Sequence, residues 1–104
     1  MAENPATPGT DRERLVARWL ELTRTVLPGM AAQQGWPISR DHCFMRVFLD
    51  HAEGGRWDRR VRRPAIRFME DAALRRAVLA AEHVVAHPGE LPAYNRRSLA
   101  WRRA

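Results

Sequence analysis

The stretch Asp41-His42-Cys43-Phe44-Met45-Arg46-Val47-Phe48-Leu49-Asp50 decides the fold. It is apolar at 43–45 and again at 47–49, so as a helix it is hydrophobic on nearly every side. Such a helix is surrounded by its neighbours instead of resting on one of them. Its polar exceptions fall in order. His42, Arg46 and Asp50 are spaced four apart and share one row on the helix surface, with Cys43 beside it. The expectation is a central apolar rod with a polar seam.

Working outward, Ser39 stands where an N-cap belongs and Asp41 in the first turn, so this helix spans about 40–53. Gly54-Gly55 ends it by the left-handed route. Upstream, Leu15, Trp19, Leu22 and Val26 step by four, three and four behind Thr10 or Asp11, which predicts a helix over 11–27. Pro28-Gly29 kinks or ends it, and a further turn or two runs towards 34 before the break at Gly35-Trp36-Pro37. Residues 1–9, with two Pro, one Gly and small polar residues, read as a disordered leader. Downstream, residues 56–68 predict a short helix at 57–62 and then a turn or a second short helix beginning at Pro64. Leu74, Val78, Ala81 and Val85 predict a helix over 71–86, flanked by alanines that permit close helix approach and stopped by His87-Pro88-Gly89. A last helix spans about 91–102. No segment has strand periodicity. The fold class is all-α: a compact bundle of four principal helices with short connecting ones, forming a single domain over 10–104.

Composition narrows the functional classes. A chain of 104 residues buries roughly two thirds of its unfolded surface. All 18 basic residues are Arg, and the net charge is +6. Arg without Lys, together with abundant Ala, is what GC-rich coding produces, so the pI near 11.3 says less about nucleic acid than it suggests. The sign of the charge still favours polyanions and acidic partners. One cysteine makes no internal disulfide and no zinc site by itself, and the four histidines show no metal spacing. No cofactor motif occurs: neither a phosphate-cradling loop nor HExxH nor GxSxG. No apolar run approaches the ~20 residues of a membrane helix, and the N-terminus lacks a signal-peptide core, so no membrane is expected and the compartment is the cytoplasm.

Three constellations carry chemical interest. The seam comes first: Asp41, His42, Arg46 and Asp50, with Asn95 from the last helix, are the candidate ligand-binding polar groups. Arg46 either pairs with Asp50 to fix helix packing, or holds the carboxylate or phosphate of an anionic small molecule or protein partner. Cys43 with His42 is the candidate catalytic pair. A nucleophilic thiol needs a base, yet adjacent helical residues point about 100° apart, so His42 does not face Cys43. Third, Arg56, Arg59, Arg60, Arg62, Arg63 and Arg67 crowd into twelve residues with Trp57 among them, and Arg96, Arg97, Arg102 and Arg103 add a second patch near Trp101. Basic side chains with aromatics suit single-stranded nucleic acid; the alternative is a solvated face with each Trp turned inward. Asn95 and Ser98, three apart, either face the bundle or sit in water.

The run WPISRDHCFMRVFLD, followed by Trp57, Pro64-Ala65 and the closing NRRSLAWR, resembles a group of small helical bacterial proteins of about this length. Members of that group sometimes carry a GNAT-type acetyltransferase label. That label implies an acetyl-CoA site built on a strand and an Arg/Gln-x-x-Gly-x-Gly/Ala loop, and neither occurs in this sequence. The resemblance therefore carries no functional residues across.

Overall fold

Thr10 begins the folded chain. Its hydroxyl accepts the Glu13 N–H at 3.0 Å while the Glu13 carboxylate accepts the Thr10 N–H at 2.8 Å, a reciprocal cap on two orphan donors. The structure, a computed structural model, describes residues 9–104; the leader expected at 1–9 lies, apart from Gly9, outside the described residues. From the cap, α1 (Asp11–Glu21) continues through a π-helical turn, Leu22–Val26, into α2 (Leu27–Gln34). Pro28 therefore neither ends nor breaks the helix. It has no N–H to give and crowds the carbonyl four residues back. The π turn lengthens the repeat so that the Leu27 N–H reaches the Leu22 carbonyl instead. Gly35, at φ 65°, closes α2.

The decisive stretch forms α3 (Asp41–Glu53). Its cap lies on Arg40, one residue later than Ser39 and without a side-chain cap, while the Asp41 carboxylate in the first turn accepts the His42 N–H at 2.7 Å. Gly54 at φ 71° ends the helix as expected. The short helix expected at 57–62 is a 3-10 turn at Trp57–Arg59, and the second short helix is the single-turn α4 (Ala65–Phe68), which Pro64 precedes instead of opening. Then come α5 (Asp71–Ala86), a 3-10 turn at Pro88–Glu90, and α6 (Leu91–Arg103). No strand occurs among the described residues. The chain is an all-α compact bundle, and none of its described helices is long and apolar enough to cross a membrane.

α3 lies in the middle. It packs against α5, α6, the π turn and the Trp57 turn, and its Phe44, Val47 and Phe48 are wholly buried. α5 presents Leu74, Ala77, Ala81 and Val84, also buried, and the small side chains let the two helices approach closely. Trp36 leans edge-on to Phe44, ring centres 5.8 Å apart, and donates its indole N–H to the Pro88 carbonyl at 2.9 Å. Arginines then close the frame. Arg18 pairs through two nitrogens with Glu82 at 2.7 Å, tying α1 to α5 and holding the Glu82 carboxyl below its ordinary range. Arg12 donates to the carbonyls of Ile66 and Met69 and to Asp71.

Candidate functional site: the polar seam and the arginine face

The row at 42, 46 and 50 exists, and it runs from water into the core. His42 is exposed, Arg46 half-buried and Asp50 completely buried. The direct Arg46–Asp50 pair does not form. The carboxylate of Asp50 is gripped instead by Arg102 from the last turn of α6, with Nε 2.9 Å from Oδ2 and Nη2 3.0 Å from Oδ1. Two neutral donors complete the set: the Trp57 backbone N–H at 3.0 Å from Oδ1, and the Ser98 hydroxyl at 2.6 Å from Oδ2. Arg46 joins through Ser98, donating to its oxygen at 2.7 Å, and gives a second hydrogen bond to the Asn95 side-chain oxygen at 2.7 Å. A buried carboxylate is tolerable only when paired and hydrogen-bonded, and here every lone-pair direction is occupied. No buried side-chain N or O among the described residues lacks a partner.

Asn95 and Ser98 thus face the bundle. Arg102 continues their line, because 95, 98 and 102 step by three and four on one helical face. That spacing was visible in the sequence, and it is the signal that identifies Arg102, otherwise counted with the second basic patch. Beyond Arg102 the network reaches the surface at Asp58, 3.7 Å from Arg102 and bonded to Arg56 at 2.9 Å and Arg63 at 3.1 Å. The Arg56 hydrogen bond, with help from Arg102, pulls the Asp58 carboxyl down to about 2.

Asp41 and His42 stand apart from this network. Both are exposed, and their side chains are 3.6 Å from each other. None of the five residues expected to bind a ligand lines the clefts described below. Cys43 is half-buried. The other histidines are engaged elsewhere: His51 with the Tyr94 carbonyl at 3.1 Å, His83 with Glu90 at 2.9 Å, and His87 tilted against His83 with ring centres 4.5 Å apart. Among the described residues, no group of three or more His, Cys, Asp or Glu is placed to hold a metal ion.

His51 has a consequence of its own. It packs between Tyr94 and Trp101, with ring centres 4.4 and 5.1 Å away. Burial pushes its pKa below the ordinary 6.5, and Arg97 adds to that, while the Tyr94 carbonyl and Asp50 oppose. The unfolded chain takes up a proton near 6.5 that the folded protein resists, so stability present above 6.5 is lost as pH falls below it. His51→Gln keeps a donor for the Tyr94 carbonyl and removes the titration. The thermal midpoint of the variant is expected to vary less between neutral pH and mild acid than that of the parent; equal slopes would contradict the assignment.

The arginine cluster divides on inspection. Arg56 and Arg63 are tied to Asp58, and Arg60 donates to the carbonyl of Glu53 at the end of α3. Three point outward. Arg62 and Arg67 place their guanidinium carbons 4.8 and 5.4 Å from the centre of the Phe68 ring, and Arg59 is exposed. Phe68 itself is 39% exposed. It borders a cleft of about 440 Å³ between α3, α4 and α5 that Arg60, Arg62 and Arg76 line together with Glu53 and Glu70. Trp57, by contrast, is turned inward at 7% exposure, and Trp101 is half-buried against His51.

Compared with protein-family models, with curated proteins and with solved structures, the chain matches none.

Proposed function

We propose that the protein is a small helical binding module whose seam serves architecture and whose working surface is the arginine face around Phe68, taking a single-stranded nucleic acid. The observation that carries the reading is an aromatic ring left 39% exposed with two guanidinium groups at 4.8 and 5.4 Å from its centre. Single exposed apolar side chains are ordinary, Leu79 and Leu99 among them here, so the weight rests on the guanidinium groups gathered at this ring. Placed among Arg59, Arg62 and Arg67, the ring sets an exposed aromatic side chain, already in contact with two guanidinium groups, beside cationic groups that suit the phosphates of a strand. The seam has no equivalent offer, because Arg46 and Asp50 spend their hydrogen bonds on Ser98, Asn95, Trp57 and Arg102.

Anisotropy of a labelled oligothymidylate tests this. Neutralising about three phosphates gives a salt slope near −2 for a single strand. Binding is then expected to weaken about 20-fold between about 50 and 200 mM salt. Phe68→Ala should cost about 1–3 kcal/mol for the base it stacks. Absence of binding at low salt, or a Phe68→Ala variant that binds as the parent does, would overturn the reading.

A further inference from the structure

A second cleft, away from the Phe68 face, has different chemistry. It measures about 290 Å³, and its walls are Trp19 of α1, Met45 and Leu49 of α3, Trp57 and Ile66. Its exposed lining includes two arginines, Arg24 and Arg63, and no lining residue is acidic. Arg24 rides on the π-helical turn, and no hydrogen bond or ion pair is described for it. Arg63 lies over the Trp57 ring at 5.0 Å and gives one nitrogen to Asp58. Because Arg63 already has Asp58 as its counter-charge, Arg24 is the cation this apolar cleft leaves to a ligand, and the combination is complementary to one kind of small molecule: an unbranched hydrocarbon ending in a carboxylate.

We propose that this cleft binds a free medium-chain alkyl carboxylate, with its chain along Trp19, Met45, Leu49 and Trp57 and its carboxylate against Arg24. The volume sits at the lower end of small-ligand pockets, which run from about 300 Å³ upward, and that favours a single chain of moderate length over a two-chain lipid. The guanidinium fork of Arg24 matches the carboxylate plane. The site does not depend on the arginine face around Phe68, so either can fail without the other.

Because Trp19 and Trp57 wall the cleft, tryptophan emission reports its occupancy. The full chain is titrated at neutral pH with hexanoate, octanoate and decanoate, below their micellar concentrations. Affinity should rise about fourfold for each added methylene while the chain remains within the cleft. Decyltrimethylammonium, with the same tail and the opposite charge, should bind far more weakly. Arg24→Gln should weaken decanoate about tenfold or more, with an unchanged melting temperature because Arg24 is exposed, and Arg24→Lys should restore part of the loss. Equal binding of the cationic amphiphile, an Arg24→Gln variant as tight as the parent, or a response to anionic phospholipid vesicles without one to decanoate would each overturn the assignment.

Discussion

Arg102→Met costs about 3–5 kcal/mol of folding stability, the range for a buried ion pair broken by removing one member. Its position gives little warning of this. Arg102 sits in the last turn of α6, among the arginines of a basic patch, where a substitution would ordinarily be expected to cost little. Yet its guanidinium supplies two of the four hydrogen bonds that Asp50 accepts, at 2.9 and 3.0 Å, and Asp50 has no exposure to water. Without it a carboxylate remains in the core, held by a hydroxyl and one backbone N–H. Equilibrium unfolding in urea measures the loss. The neighbouring Arg103, which is exposed, serves as the control: its replacement should change stability by less than about 0.5 kcal/mol.

The second large effect lies at the same contact between α3 and α6. Phe48→Ala should destabilise the protein by about 3–5 kcal/mol, through lost transfer energy and the cavity left behind. Phe48 is wholly buried, with its ring 5.8 Å from that of Tyr94, so the cavity opens where α3 meets α6. Met45, three residues earlier and half-buried against the apolar cleft, should cost distinctly less as Ala, because solvent already reaches that side of the helix. Matching losses at 45 and 48 would mean that α3 is not enclosed on the side described. The comparison is made by thermal or urea unfolding of the two variants.

The central helix was legible because its two apolar triplets leave no face that water would accept, and the same pattern located the row at 42, 46 and 50. What the row does was not legible. Helical spacing reports which residues share a face of one helix and says nothing about which side chain arrives from another. Asp50 looked like the partner of Arg46 because it was the nearest charge along the chain. Three-dimensional packing brings Arg102 to it from 52 residues away and places Ser98 between the two expected partners. The stripe Asn95, Ser98, Arg102 was the available clue on the facing helix. At Pro28 two readings stood open, an end or a bend with the helix running on towards 34, and the structure takes the continuous one. The rule that proline ends a helix rests on a clash with a carbonyl four residues back, and a π turn relieves that clash by moving the repeat to five. The arginine cluster was visible as composition, but composition does not separate arginines that satisfy Asp58 and the Glu53 carbonyl from those left in solvent.

The account depends on Asp50 being a buried charge that α6 neutralises, and a double-mutant cycle in urea reads this directly. Arg102→Met is combined with Asp50→Asn, which keeps the shape and an acceptor for the Trp57 N–H while removing the charge. The double variant should be more stable than Arg102→Met alone, with a coupling energy of about 1–3 kcal/mol. Additive losses, or a single Arg102→Met variant as stable as the parent, would contradict it.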